Sequence, residues 1–151
     1  AARAAAPLGA GFTIIVLTTG SLWGKPTWGT WWVWDARLTS VLVLFFLYLG
    51  HIALTHAFDN PQRGAKAAAV LALVGFVNIP IIKFSVDWWN TLHQPASLTR
   101  LDRPAIDPAM LTPLLLMGLA FMAYFVTMLL IRMRADLNAA RARALQLSAA
   151  E

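Results

Sequence analysis

The sequence predicts an all-α membrane protein, a multi-pass helical bundle with four spans in this chain. Three observations predict it. Of the 151 residues 59% are hydrophobic and only 13% are charged, whereas an average soluble domain is about a quarter charged. Mean hydropathy is +0.64. Four segments stay apolar over roughly the 20 residues needed to cross a hydrocarbon core of about 30 Å. A soluble globular enzyme of this size needs more polar residues to cover its surface. A disordered chain needs far fewer apolar ones.

The elements follow in order as one membrane domain over 1–151. The first span, 4–22, carries no charge. Gly24 and Pro26 are expected to end it. The second, 38–58, is also uncharged but holds His51 and His56. The third, 67–82, is short and interrupted by Asn78 and Pro80; a proline there kinks a helix and frees a carbonyl. The fourth, 109–131, is uninterrupted after Pro113. The tail 132–151, rich in Ala, Arg and Leu, is expected to continue the fourth helix, with its arginines near anionic headgroups. The chain shows neither an internal repeat nor the charged-then-apolar pattern of a signal peptide.

Cysteine is absent, which removes disulfides, iron–sulfur clusters, thiol chemistry and any C-x-x-C-H attachment of a cofactor. The net charge of +5 would suggest nucleic acid in a soluble protein. Here it reads as basic loops on one face of a lipid bilayer, with no nucleic acid partner. Four spans put Arg3, Arg63, Lys66, Arg132, Arg134, Arg141 and Arg143 on one side, against Lys25, Arg37, Lys83, Arg100 and Arg103 on the other. Asp59, Asp136 and Glu151 offset the first set; Asp35, Asp87, Asp102 and Asp107 offset the second. The first side is therefore expected to be cytoplasmic. The outer face then shares the connections 23–37 and 83–108.

Those two connections hold all seven tryptophans: Trp23, Trp28, Trp31, Trp32, Trp34, Trp88 and Trp89. An interfacial aromatic belt is one reading, but a belt normally marks both interfaces. A short interfacial helix from Trp28 onward would put Trp28, Trp31, Trp32 and Asp35 on one face, a platform about as large as a planar macrocycle. Asp35 also suits the N-cap of the second span, so capping and ligand contact both stay open for it. Arg37 can pair with Asp35 or bind a carboxylate such as a propionate. In the second connection, a helical 85–94 would turn Trp89 and His93 the same way. His93 is either a structural or solvated loop residue or an iron ligand, for which imidazole is common. Aromatic walls, an imidazole and an arginine suit an amphiphilic metallated macrocycle better than a sugar or nucleotide. His51 is an intramembrane ionisable residue and so a functional candidate, with Tyr48 and Thr55 as expected partners. His56 marks the interface.

The order Trp28-Gly29-Thr30-Trp31-Trp32-Val33-Trp34-Asp35-Ala36-Arg37-Leu38-Thr39 resembles the tryptophan-rich WWD signature of haem-handling proteins. With 81–94, ending in Trp88-Trp89-Asn90-Thr91-Leu92-His93-Gln94, it is similar to the CcmC family of cytochrome c maturation, over about 4–133. The resemblance implies a multi-pass protein of the bacterial inner membrane that binds haem b non-covalently at the periplasmic face. It implies delivery to the haem chaperone CcmE, with CcmA and CcmB as ABC-type partners and CcmD as a small one. Trp28, Trp31, Trp32, Trp34 and Asp35 match the signature, and His93 matches the second axial ligand; Arg37, Trp88 and Trp89 complete the expected cofactor contacts. The family has six spans and a first ligand histidine between the first two. This chain is therefore expected to be a fragment that starts at the third span. It carries no catalytic nucleophile, paired carboxylates or nucleotide-binding glycine loop, so it is expected not to be an enzyme. The alternatives are a transport subunit, with His51, Asn78 and Tyr48 as its polar path, and a structural subunit whose tryptophans only anchor it.

Overall fold

The computed structural model describes residues 1–95, 97–98 and 104–149. Arg100, Asp102, Arg103 and Glu151 of the charge balance lie outside the described residues. Four helices carry the described chain: α1 (Ala2–Trp28), α2 (Ala36–Leu54), α3 (Pro61–Trp88) and α4 (Pro108–Ser148). Each is long and apolar enough to cross a membrane. The protein is an all-α membrane protein with four such helices and no strand among the described residues. Its contacts fall into two compact units. One comprises Ala1–Leu8 with the segment from Ile106 onward, the other Gly9–Ala105.

In the first unit, α4 starts at Asp107, whose carboxylate accepts the Ala109 N–H at 2.8 Å. Its 41 residues span about 60 Å at a rise of about 1.5 Å each. That is twice a hydrocarbon core, so the helix runs from the apolar span straight into the arginine-bearing tail. Arg132 Nε donates to the Ala4 carbonyl at 3.1 Å.

In the second unit, α1 passes through Gly24 and Pro26 instead of ending there. Pro26 lies in the last turn, two residues from the helix end, so the loss of its N–H and the clash of its ring with the preceding turn fall near that end. The Thr27 hydroxyl meanwhile donates back to the Trp23 carbonyl at 2.9 Å. Gly29 ends the helix at φ 77°, a left-handed conformation that glycine adopts without penalty. The expected interfacial helix from Trp28 does not form, and 29–35 is irregular. Beyond the Gly29 reversal, the Thr30 hydroxyl is 3.4 Å from the Trp32 N–H that it accepts, and donates to the Trp32 carbonyl at 3.0 Å. Such local bonds compete with helix. Trp28, Trp31, Trp32 and Asp35 therefore share no helical face.

Asp35, in extended conformation, caps α2, and Asn60 caps α3. The second helix stops at Leu54, so His56 lies beyond it and exposed. Asn78 and Pro80 do not interrupt α3, which runs through both. Asn78 is buried because it is a cross-link: its amide donates to the Ser40 carbonyl of α2 at 2.8 Å. His51 is a second cross-link. Its Nδ1 lies 3.0 Å from the Ala68 carbonyl, which can only accept, so the imidazole donates. The partners expected from sequence are engaged elsewhere. The Tyr48 ring lies where a Cβ on Gly9 of α1 would be, and the Thr55 hydroxyl donates to Ile52 at 2.7 Å.

The α2–α3 seam is thus an antiparallel ladder. Arg37 faces Ser85, Ser40 faces Asn78, His51 faces Ala68 and the Leu54 carbonyl faces Gly64. The interior is made of small and polar residues, with Ser40, His51, Ala68, Asn78 and Ser85 all buried. Large apolar side chains such as Val70, Leu73 and Phe76 point outward. Lipid is as apolar as leucine, so helices in a bilayer associate through close approach and hydrogen bonds rather than by hiding hydrocarbon. At Gly64 a Cβ would sit 2.9 Å from the Leu54 carbonyl oxygen, backbone that cannot swing aside. Gly64→Ala is expected to destabilise the detergent-solubilised protein by about 1–3 kcal/mol, outweighing the helix-propensity gain of about 1 kcal/mol. Gly118→Ala on α4 meets nothing within 4 Å and is expected to leave the thermal unfolding midpoint unchanged or higher.

Candidate functional site

The ladder brings the start of α2 beside the end of α3, and residues 28–35 and 88–93 meet there. Asp35 Oδ1 accepts the Leu38 N–H at 2.7 Å, which caps α2. Its Oδ2 accepts the Thr91 hydroxyl at 2.7 Å and lies 2.8 Å from His93 Nδ1. The Thr91 hydroxyl oxygen accepts the His93 N–H at 2.9 Å, a local turn that pins the histidine backbone. Trp28, the last residue of α1, sets its ring edge-on to the His93 imidazole, with centroids 4.8 Å apart. Three elements therefore converge on one histidine. Asp35 is buried and His93 partly so, with side chains 4% and 18% exposed.

Burial pushes the Asp35 carboxyl up, but the bonds from Leu38, Thr91 and His93, and the His93 charge, hold it below the ordinary carboxylate value. A carboxyl with a lowered pKa stabilises the fold above its unfolded pKa of about 3.9, and that stabilisation is lost as pH falls through the folded value. Asp35→Ser keeps a capping oxygen but lacks the second one. It is expected to lower stability at neutral pH by about 1.5–3 kcal/mol, the usual worth of hydrogen bonds to a charged group. The gap should close below the ordinary carboxylate range, as read by thermal unfolding against pH in detergent.

The other expected site residues lie around this node in separate groups. Trp32 and Trp34 pack edge to face at 5.5 Å. Trp31 has the Lys25 ammonium 5.9 Å above its ring. Trp88 stacks on Phe84 at 5.4 Å and meets Trp89 at 5.8 Å. Trp31, Trp34, Trp88 and Trp89 are all more than half exposed. The Trp32 indole N–H is buried without a hydrogen-bond partner. Arg37 is not the partner of Asp35; its Nε reaches the buried Ser85 hydroxyl at 3.5 Å. The expected helical pairing of Trp89 with His93 is absent. Trp89 is already extended at φ −127° and ψ 154°, and His93 is turned by Thr91 instead. Thr91 is the functional candidate that sequence reasoning missed. Its one signal was a hydroxyl two residues before a candidate ligand.

The fold and this node define a class: a multi-pass helical membrane protein that gathers a carboxylate-held histidine and exposed indoles at one end of a helix pair. A family model, CcmC, described as haem exporter protein C, matches residues 1–148. Haem exporter protein C of Bradyrhizobium diazoefficiens is 60% identical over 147 residues, covering 97% of this chain and 56% of the relative. The protein of the same description from Escherichia coli strain K12 is 58% identical over 134 residues, 89% of this chain and 54% of the relative. That of Paracoccus denitrificans is 46% identical over 146 residues, 96% and 61% respectively. The chain belongs to the haem exporter protein C family. It spans a little over half the length of these relatives.

Proposed function

We propose that this chain binds haem b non-covalently where the two tryptophan-bearing connections meet, and passes it on during cytochrome c maturation. The observation that carries the proposal is the Asp35–His93 contact, which joins the WWD segment to the histidine segment. Several features fit an iron porphyrin. With Nδ1 bonded to a carboxylate, His93 keeps its other ring nitrogen for a metal. Exposed indoles supply flat apolar walls, and the unpartnered Trp32 N–H suits a propionate oxygen. Arg37, half-buried beside Ser85, adds positive charge near the same helix end. The absence of cysteine rules out thioether attachment to this chain, so the cofactor can leave.

If bound here, haem would supply an iron centre able to take an imidazole nitrogen as a ligand. The residues of this chain bind and orient it: His93 as ligand; Trp28 behind the ligand; Trp31, Trp32, Trp34, Trp88 and Trp89 as walls. The recipient is the haem chaperone CcmE, and the partners are CcmA, CcmB and CcmD, in the bacterial inner membrane with both connections facing the periplasm. Energy from ATP comes from a partner, since this chain has no nucleotide-binding loop. The transport-subunit reading loses its main candidate, because His51 is occupied in the α2–α3 seam. Haem titration of the purified chain in detergent tests the proposal. The expected result is a Soret band that is lost in His93→Ala and weakened in Trp31→Leu with Trp32→Leu. An unchanged spectrum in a folded His93→Ala protein would overturn it.

A further inference from the structure

We propose that Asp35 is a positioning residue that holds His93 as the Nδ1–H tautomer, leaving Nε2 as the only ring nitrogen able to carry a lone pair to a metal, while Thr91 pins the His93 backbone. The consequence for haem rests on the function proposed above; the tautomer itself rests on geometry. The atoms around Nδ1 are Asp35 Oδ2 at 2.8 Å and Thr91 Oγ1 at 3.1 Å. An ionised carboxylate has no proton to give. The Thr91 hydroxyl has one proton, and Asp35 Oδ2 at 2.7 Å is its shorter and charged acceptor. Neither neighbour therefore donates to Nδ1, so Nδ1 must donate. A neutral imidazole carries one N–H, and the lone pair then falls on Nε2. The Trp28 ring against the imidazole face and the Thr91 bond to the His93 N–H oppose a ring flip.

The division of labour between the two Asp35 oxygens makes the inference testable. Oδ1 caps α2, and Oδ2 serves His93 and Thr91. Asparagine caps helices about as well as aspartate, so Asp35→Asn should preserve the start of α2. With its oxygen kept on the Leu38 N–H, the introduced amide turns its NH2 group toward Nδ1. That group donates, Nδ1 accepts, and the proton moves to Nε2. The same inversion follows when the aspartate of a Ser-His-Asp triad is replaced by asparagine.

The experiment reads long-range nitrogen–proton NMR couplings of histidine-labelled chain without haem, in detergent and over a pH series that ends where the spectrum shows one proton on the ring. His93→Gln assigns the signal. The expected spectrum shows protonated Nδ1 in the wild type and protonated Nε2 in Asp35→Asn, with both proteins folded. Thr91→Val keeps the wild-type tautomer, since it removes no acceptor that Nδ1 requires. Haem titration of the same samples should show a loss of affinity in Asp35→Asn on the order of 10- to 100-fold, the usual cost of a lost outer partner. Protonated Nε2 in the wild type, or no inversion in a folded Asp35→Asn, would overturn the tautomer assignment whatever haem does. A wild-type tautomer as expected, with haem binding unchanged in His93→Ala, would instead overturn the haem reading and leave the positioning role standing.

Discussion

A carboxylate and an imidazole 58 residues apart in sequence meet at 2.8 Å, and one end of the Gly9–Ala105 unit is organised around that contact. Asp35 sits almost fully buried, and burying a carboxylate is costly unless every lone pair direction finds a donor. Here Leu38, Thr91 and His93 all supply one. Removing His93 or Thr91 leaves buried charge under-satisfied, whereas Asp35→Asn neutralises the charge and keeps the cap. The node is thus stable only as a set, which ties the histidine to the start of α2.

The set can form because the ladder below it fixes the register of α2 against α3. Asn78 to Ser40 and His51 to Ala68 are hydrogen bonds across the seam. Gly64 lets the backbones approach beside the Leu54 carbonyl. A slide of one helical turn, about 5.4 Å, would break both hydrogen bonds together and separate Asp35 from His93. Polar groups deep in an apolar protein serve here as register marks. In a bilayer their loss cannot be made good by water.

The spans were legible because charge exclusion over 20 residues is a strong signal that needs no tertiary information. The exposed outer face of α3, with Phe76 and Val77 more than half exposed, is what that signal reads. The ends were less legible. Gly24 and Pro26 are helix breakers by residue type, but α1 runs through both, and Gly29 is the residue that reverses the chain. The aromatic segment after Trp28 has helical spacing and yet is irregular, because the Thr30 hydroxyl and the Asp35 cap satisfy its backbone locally. Asp35 and His93 could be picked out from sequence as residue types near tryptophans. That they touch each other could not, since periodicity says nothing about which loops meet. His51 was misassigned to Tyr48 and Thr55 for a related reason: same-helix spacing was visible, whereas the acceptor lay on another helix and was a backbone carbonyl.

A ligand carried on an irregular segment usually has poor orientation, because loops move more than the elements they connect. In this chain the orientation of His93 is not left to its loop. The oxygen pair of one carboxylate links the imidazole to the Leu38 N–H of α2, and α2 is pinned to α3 by hydrogen bonds well inside the bundle. Trp28 closes the other side from the end of α1. The geometry of His93 is therefore inherited from helix packing, which is the more rigid source. Trp31 and Trp34 are placed differently: they lie on the irregular 29–35 segment with their rings exposed, and they take their position from the chain between two helix ends.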